Sequence, residues 1–424
     1  MRFTYAFCCF LFVAGCLKAQ IQHNPAMILD NEIRSVEFHL SGAPLTQPIA
    51  KLNSKNGVLA LIFDHLGPEP QDYVYTISHC NADWQPSELN DVEYLRGLVE
   101  DRIFTYENSY NTLAQYTRYF LSLPNANMGW ARSGNYLLKL YDLNDSRRLV
   151  LVRRFMVSEG MWPIETSMPQ PNKVSKLYTH HEIDFKVRPR NVRIQNPDND
   201  VKAYVLQNGR WDNALGPIKP FASIVDVLSY DYQDRITFPA GKEWRFFDIS
   251  TFDFTGQNVK YVSELDFNYE AVLYPDVNRY NSNIYALKSD LNGRFSLQNT
   301  TINQGPLQSD YGLVVLSLRL DEPLEGADVY VFGELSDWQL KPEFKMRYDP
   351  VFKGYYAELL LRQGFYNYIY YVNDTDKGYN KFDMFEGNWH ETGNVYTILV
   401  YFRSFGDRYD RLMSATSIDS WIRN

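Results

Sequence analysis

The feature that most constrains this chain is its series of short runs in which apolar and polar residues alternate, with no run of comparable strength at helical spacing. IRSVEFHL (33–40), YVYTISH (73–79), LVLVRRFMV (149–157) and LVVLSLRL (313–320) are of this kind, and VLALIFD (58–64) is a continuous apolar run of strand length. Successive side chains on a strand point to opposite faces, so a period of two gives each run one face to bury and one to expose. Between the runs stand turn sequences such as Ser133-Gly134-Asn135, GRWDN (209–213) and DLNG (290–293). The last contains Asn-Gly, which readily takes positive φ at both positions. Tyr (32) and Phe (26) are abundant, and aromatic residues favour strands. Only residues 87–98 read as a short helix, so the sequence predicts an all-β protein.

A chain of 424 residues is too long for one core, and typical domains of roughly 150 residues suggest about three. The Pro-rich stretch GMWPIETSMPQPNK (160–173) reads as a linker. The predicted architecture is three tandem β-sandwich domains of immunoglobulin-like or early-set type: 24–158, 159–305 and 306–412, followed by a strandless tail, 413–424. In the third, VYVFGELSDWQ followed by GYYAELLLRQGFYNYIYYVND resembles the glycogen- and starch-binding modules with an early-set immunoglobulin-like fold. No repeat of fixed period links the three.

Residues 1–20 read as a secretory signal peptide: Arg2, an apolar run over 7–14, then a short segment ending in Ala19-Gln20. Lys18 closes the run before it reaches the roughly 20 apolar residues that a membrane span needs. Cleavage after Ala19 yields a soluble protein beginning at Gln20. The alternative is a lipobox at Val13-Ala14-Gly15-Cys16, which would leave Cys16 acylated and the protein tethered to a membrane. Loss of the leader removes two basic residues and no acid, leaving 40 basic against 51 acidic side chains, a net charge of −11. That balance argues against a nucleic-acid partner. Cys80 is then the sole cysteine, so no internal disulfide is expected.

Candidate chemistry is sparse. His79 and Cys80 are adjacent, and on a strand they point to opposite faces, so the histidine is badly placed as a base for the thiol. His180-His181 lacks a second pair at ligand spacing, and residues 276–290 lack the regular oxygen positions of a calcium loop. No catalytic residue, metal ligand or cofactor is assigned. A glycosidase-like carboxyl pair could lie anywhere among 51 acids, so composition decides nothing there.

A longer resemblance runs through the chain. HCNADWQPS and EYLRG, YENSYNT with QYTRYFLSLPN, RSGNY, RRFMV, QNGRWDNA, AGKEWRFFD, SDLNGR, VYVFGELSDW, LRQGFYNYIYY, ETGNVYTILVYFR and RYDRL follow one another in order. The series resembles the type IX secretion system plug protein family of Bacteroidetes-type bacteria, over about residues 24–412. The resemblance implies a non-catalytic periplasmic protein, associated with the inner side of the outer membrane. It would bind the periplasmic mouth of the outer-membrane translocon barrel and close it when no cargo is present. Membrane association would then be indirect, through the barrel, or by a lipid anchor on Cys16. Trp130, in NANMGWARSG, and Trp211, in NGRWDN, are candidate partner contacts because Gly, Asn and Arg flank each; the plainer reading makes both corner aromatics. The alternative function is glycan binding through the third domain, with Trp338 and Trp389 as contacts. A hydrolase is the remaining rival and requires a perturbed carboxyl pair in a cleft.

Overall fold

The computed structural model describes residues 26–224, 226–282, 290–301, 304–374, 379–381 and 384–421. The predicted leader, including Cys16, lies outside them. Strands dominate the described residues, and the only α-helices are the single turns Asp91–Tyr94 and Pro197–Asp200. The first of these falls within the stretch read as a short helix.

The period-two reading holds in the packing. In Leu59–Leu66 the side chains of Leu59, Leu61 and Phe63 are fully enclosed, and in Tyr311–Arg319 those of Val314, Leu316 and Leu318 are. Three large hydrophobic cores result. The first lies between a sheet built around Tyr73–Cys80, Gly134–Asp142 and Arg148–Ser158 and a sheet ordered Ile33–Leu40, Leu59–Leu66, Tyr116–Leu123, Tyr106–Asn108.

The other two cores depart from tandem order. Arg245–Asp248, Val259–Glu264, Tyr269–Leu273 and Phe295–Leu297, expected in the middle domain, belong to the third core, alongside Tyr311–Arg319, Gly354–Arg362 and Gly364–Asp374. Val395–Phe402, expected in the third domain, instead pairs antiparallel with Val201–Gln207. The tail expected to lack a strand forms most of Arg411–Asp419, which pairs with Val395–Phe402. The middle core is therefore closed by the end of the chain: Val201, Ala203 and Val205 pack with Ile398, Val400 and Met413. The physical reason is that a strand with two apolar faces needs cover on both, and Val395–Phe402 is buried along nearly its whole length. One face fills the middle core, while Leu399 and Tyr401 on the other meet the first sandwich.

At 290–293 the turn forms as predicted, with Asn292 at φ 54° and Gly293 at φ 83°. A side chain at Gly293 would meet the Trp244 and Trp338 rings at 2.6 Å, so glycine is needed here for space as well as for backbone shape.

Candidate functional site

The residues that made the sequence distinctive are spent at the joints between the three cores. HCNADW is the clearest case. Tyr73–Cys80 ends at Cys80, and Asn81 and Ala82 then bind the loop before the last strand. The Ala82 N–H donates to Asp410 Oδ2 (3.0 Å), the Asp410 N–H donates to Asn81 Oδ1 (3.2 Å), and Lys202 Nζ reaches Asp410 at 3.2 Å. Asn135 donates to the Asn81 carbonyl (3.0 Å) and accepts from the Tyr401 hydroxyl (2.7 Å), all inside the joint. Arg411 grips Glu159 through two bonds of 2.9 and 2.8 Å. Around these groups Cys80, Ala82, Trp84, Leu137, Val152 and Met156 of the first sandwich pack on Tyr204, Leu206, Leu399, Tyr401 and Leu412. RSGNY, NGRWDN, ETGNVYTILVYFR and RYDRL all contribute to this one assembly or border it.

His79 and Cys80 do face opposite ways. His79 Nε2 lies 3.0 Å from the Ser133 carbonyl, which can only accept, so Nε2 carries the proton and Nδ1 accepts from the Ser87 hydroxyl at 2.8 Å. Burial holds the imidazole neutral, with its pKa pushed down to about 4. A Cβ on Gly134 would lie 2.5 Å from His79 Nε2, which explains the glycine of RSGNY. Burial pushes the Cys80 thiol up to about 12, the reverse of what a nucleophile needs.

The joint between the first and third cores is ionic. Asp64, at the end of VLALIFD, is completely enclosed and receives Arg118 at 2.9 Å, Arg362 at 2.8 Å and the Tyr311 hydroxyl at 2.8 Å. Burial raises the proton affinity of this carboxylate while Arg118 and Tyr311 oppose it, and with Arg362 also in contact it stays ionised at neutral pH. Beside it Asp310 accepts the N–H groups of Leu113 (2.6 Å) and Ala114 (3.1 Å). Arg153 reaches across to Asp337 at 2.8 Å. Between the second and third cores, Trp244, Phe332 and Ile369 form a small apolar cluster, with Arg210 stacked 5.1 Å from Phe332 and 5.3 Å from Trp338.

The four tryptophans named from the sequence separate clearly. Trp130 is enclosed in the first core, tilted against Phe155 and Tyr136, so it cannot touch a partner without unfolding. The flanking Gly and Arg of its loop gave the opposite impression because they serve a tight corner. Trp211 is half-buried, edge to face with Trp84 at 4.9 Å. Trp338 has one face over Arg210 and edge-to-face ring contacts with Trp244 and Phe332. Trp389 lies elsewhere, its N–H on the Gly241 carbonyl and its ring 5.9 Å from Lys242 Nζ.

Neither rival chemistry assembles at the joints. His181 is tied to the Tyr396 hydroxyl (2.9 Å) and the His390 carbonyl (2.6 Å), and no group of three potential metal ligands occurs among the described residues. Carboxyl pairs are perturbed at Asp184, which burial, then Asp231 and Glu182, push up to about 7, and at Asp290, which burial raises and which is hydrogen-bonded to Glu243. Other residues line the clefts at the joints. Among the described residues no helix is long and apolar enough to cross a membrane.

Fold and joints together define a multi-core β-sandwich protein whose distinctive side chains lock its cores to one another. Residues 33–159 match the family described as the type 9 secretion system plug protein first domain. The chain belongs to that plug protein family. It is also similar to a crystal structure of a hypothetical protein from Parabacteroides merdae, with 31% identity and a TM-score of 0.88, covering 93% of this chain and 98% of that one. No curated protein matches it.

Proposed function

We propose that this protein acts in the periplasm as a non-catalytic plug, binding the periplasmic mouth of the type IX outer-membrane translocon barrel and closing it when no cargo is present. Family membership supports a plug-type role in this secretion system. The observation that carries the rest is the return of the chain end into the middle core, because it makes the three sandwiches one interlocked unit. A cover over a wide pore must not deform under the traffic it blocks, and beads on flexible linkers would. Here the latch at Asp410 and the ion pairs at Asp64 and Asp337 hold all three cores in fixed relation.

A plug must also let go, which favours a modest apolar contact with a polar rim over a large hydrophobic interface. Phe405 is 95% exposed and Val92 85% exposed. Their loops are neighbours, joined by Arg408 to Glu93 and by the Glu88 N–H to the Arg408 carbonyl. Apolar tips surrounded by Arg403, Arg408, Glu88 and Glu93 have the composition that such a contact requires, and they take over the role expected of Trp130.

The test is recovery of the barrel with tagged protein from detergent-solubilised envelope. We expect the wild-type chain to retain one very large outer-membrane barrel and Phe405→Ser to lose most of it with an unchanged thermal transition. A folded wild-type bait that retains no barrel would overturn the plug reading, and full retention by Phe405→Ser would remove this contact from it.

A further inference from the structure

The first–second joint contains one charge that its surroundings do not answer. Period two in Arg148–Ser158 puts Arg154 on the same face as Val152 and Met156, against the second core. Its guanidinium is stacked 4.7 Å from the Trp84 ring and 5.3 Å from Trp211. Among the described residues it makes no hydrogen bond or ion pair, and its buried Nε has no partner. Trp84 Nε1, a donor on the adjoining ring, is buried and unpartnered as well. Desolvation lowers the Arg154 pKa to about 10, yet the group stays cationic at neutral pH.

Arg154 lines a cavity of about 150 Å³ where the three cores converge, with Trp211, Trp338, Gln47, Arg153 and Arg294 also on its walls. The acids there are already committed. Asp337 is held by Arg153 and Lys341, Asp212 by Arg210, and Glu334 accepts the Phe295 N–H. The lining carries three cations, Arg153, Arg154 and Arg294, and three carboxyl groups, Asp212, Glu334 and Asp337, whose bonds to Arg153, Arg210, Lys341 and the Phe295 N–H leave Arg154 without an acid of its own.

We propose that this cavity is a binding site for a carboxylate, received by the Arg154 guanidinium, which lies beside the paired indole rings of Trp84 and Trp211. A guanidinium presents its donors as a planar fork that matches the two oxygens of a carboxylate, and aromatic faces hold that fork in place. Its inner part holds a group about the size of a benzene ring. That suits a small carboxylic acid or the end of a Glu or Asp side chain. The site lies at a joint and does not depend on the plug reading.

The experiment uses the whole exported chain at constant ionic strength and reads tryptophan fluorescence, to which Trp84 and Trp211 contribute, together with the thermal midpoint. The probes are acetate, the blocked peptide acetyl-Gly-Glu-Gly-amide and its Gln counterpart, with inorganic phosphate for comparison. Expected is a saturable response to acetate, to the Glu peptide, or to both, and none to the Gln peptide. Response to acetate alone assigns the site to small carboxylates, and response to the Glu peptide extends it to protein side chains. Arg154→Met abolishes the response, and Arg154→Lys, which keeps the charge but loses the fork, weakens it at least tenfold. Should Arg154→Met fail to fold, Arg154→Lys decides. An equal response to the Gln peptide, tighter binding of phosphate than of acetate, a wild-type response in Arg154→Lys, or no saturable response at all would overturn the proposal.

Discussion

Where the first sandwich meets the third, a buried carboxylate is surrounded by its counter-charges; where it meets the second, a cation lies beside two indoles and, among the described residues, makes no ion pair. At Asp64 both oxygens are occupied, and Arg362, although its Nε is unbonded, uses both Nη atoms, one on Asp64 and one on the Pro306 carbonyl. At Arg154 the buried Nε has no partner among the described residues. The difference shows two ways for one sandwich to be joined to its neighbours, one through each of its sheets. The ionic joint is specific, because buried charges tolerate few arrangements other than the one that pairs them. The apolar joint gets its specificity from the hydrogen-bonded latch around Asn81, Asn135 and Asp410, while its apolar area supplies the adhesion.

The sharpest way to break the comparison is at the ionic joint. Arg362→Met takes one guanidinium from Asp64, removes the bond to Pro306 and leaves Arg118 and the Tyr311 hydroxyl to carry the carboxylate. Breaking one partner out of a buried charge network costs roughly 3–5 kcal/mol. Urea unfolding should show that loss, with separation of the first and third cores detectable as faster amide exchange at Leu113 and Ala114, whose N–H groups bind Asp310. A loss near zero would mean that the joint is held by its apolar contacts and that the charges contribute nothing net.

Acid should strain the other joint. His79 has a folded pKa of about 4 against an ordinary value of 6.5, so the fold favours the neutral ring. Its contribution is fully present above pH 6.5 and is lost as pH falls towards 4. The amount is about 3 kcal/mol, each pKa unit being worth about 1.4 kcal/mol. The stability of the wild-type chain minus that of His79→Gln should fall by that amount across the window. A flat difference would show that the imidazole is already solvated in the native state.

Much of the fold was legible because period two is a local property: the residues of Leu59–Leu66 or Tyr311–Arg319 declare their inner face without knowing what covers it. What covers it is not local. Val395–Phe402 reads as one more strand of the preceding domain, and only its apolarity on both faces hints that it lies between two layers. The joints had a similar faint signal. Asp64 closing an apolar run, and Arg153-Arg154 inside LVLVRRFMV, are charges where a strand ought to be dry. A charge at an inward position asks for a partner, and the sequence cannot name Arg362, some 300 residues later. Trp130 misled for a related reason, since Gly, Asn and Arg flank exposed loops and tight buried corners alike.

The smallest effect comes from the latch, and it tests whether the apolar joint has a specificity device at all. Tyr401→Phe removes one hydroxyl from a ring that is otherwise fully packed against Tyr204 and the Asn135 side chain. The ring stays, so no cavity forms, and the only loss is the 2.7 Å bond to Asn135 Oδ1. Asn135 keeps its donation to the Asn81 carbonyl, so the loop bearing Asn81 and Ala82 remains attached to the strand. What is left is an enclosed carbonyl oxygen without its donor, a penalty of about 1–2 kcal/mol. If the latch specifies the joint, the double variant Tyr401→Phe with Asp410→Asn should lose less than the sum of the single variants, because Asp410 and Asn135 are both tied to Asn81 and Ala82 of one loop. Strict additivity would mean that the two bonds act separately and that the apolar surface alone sets how the first and second cores meet.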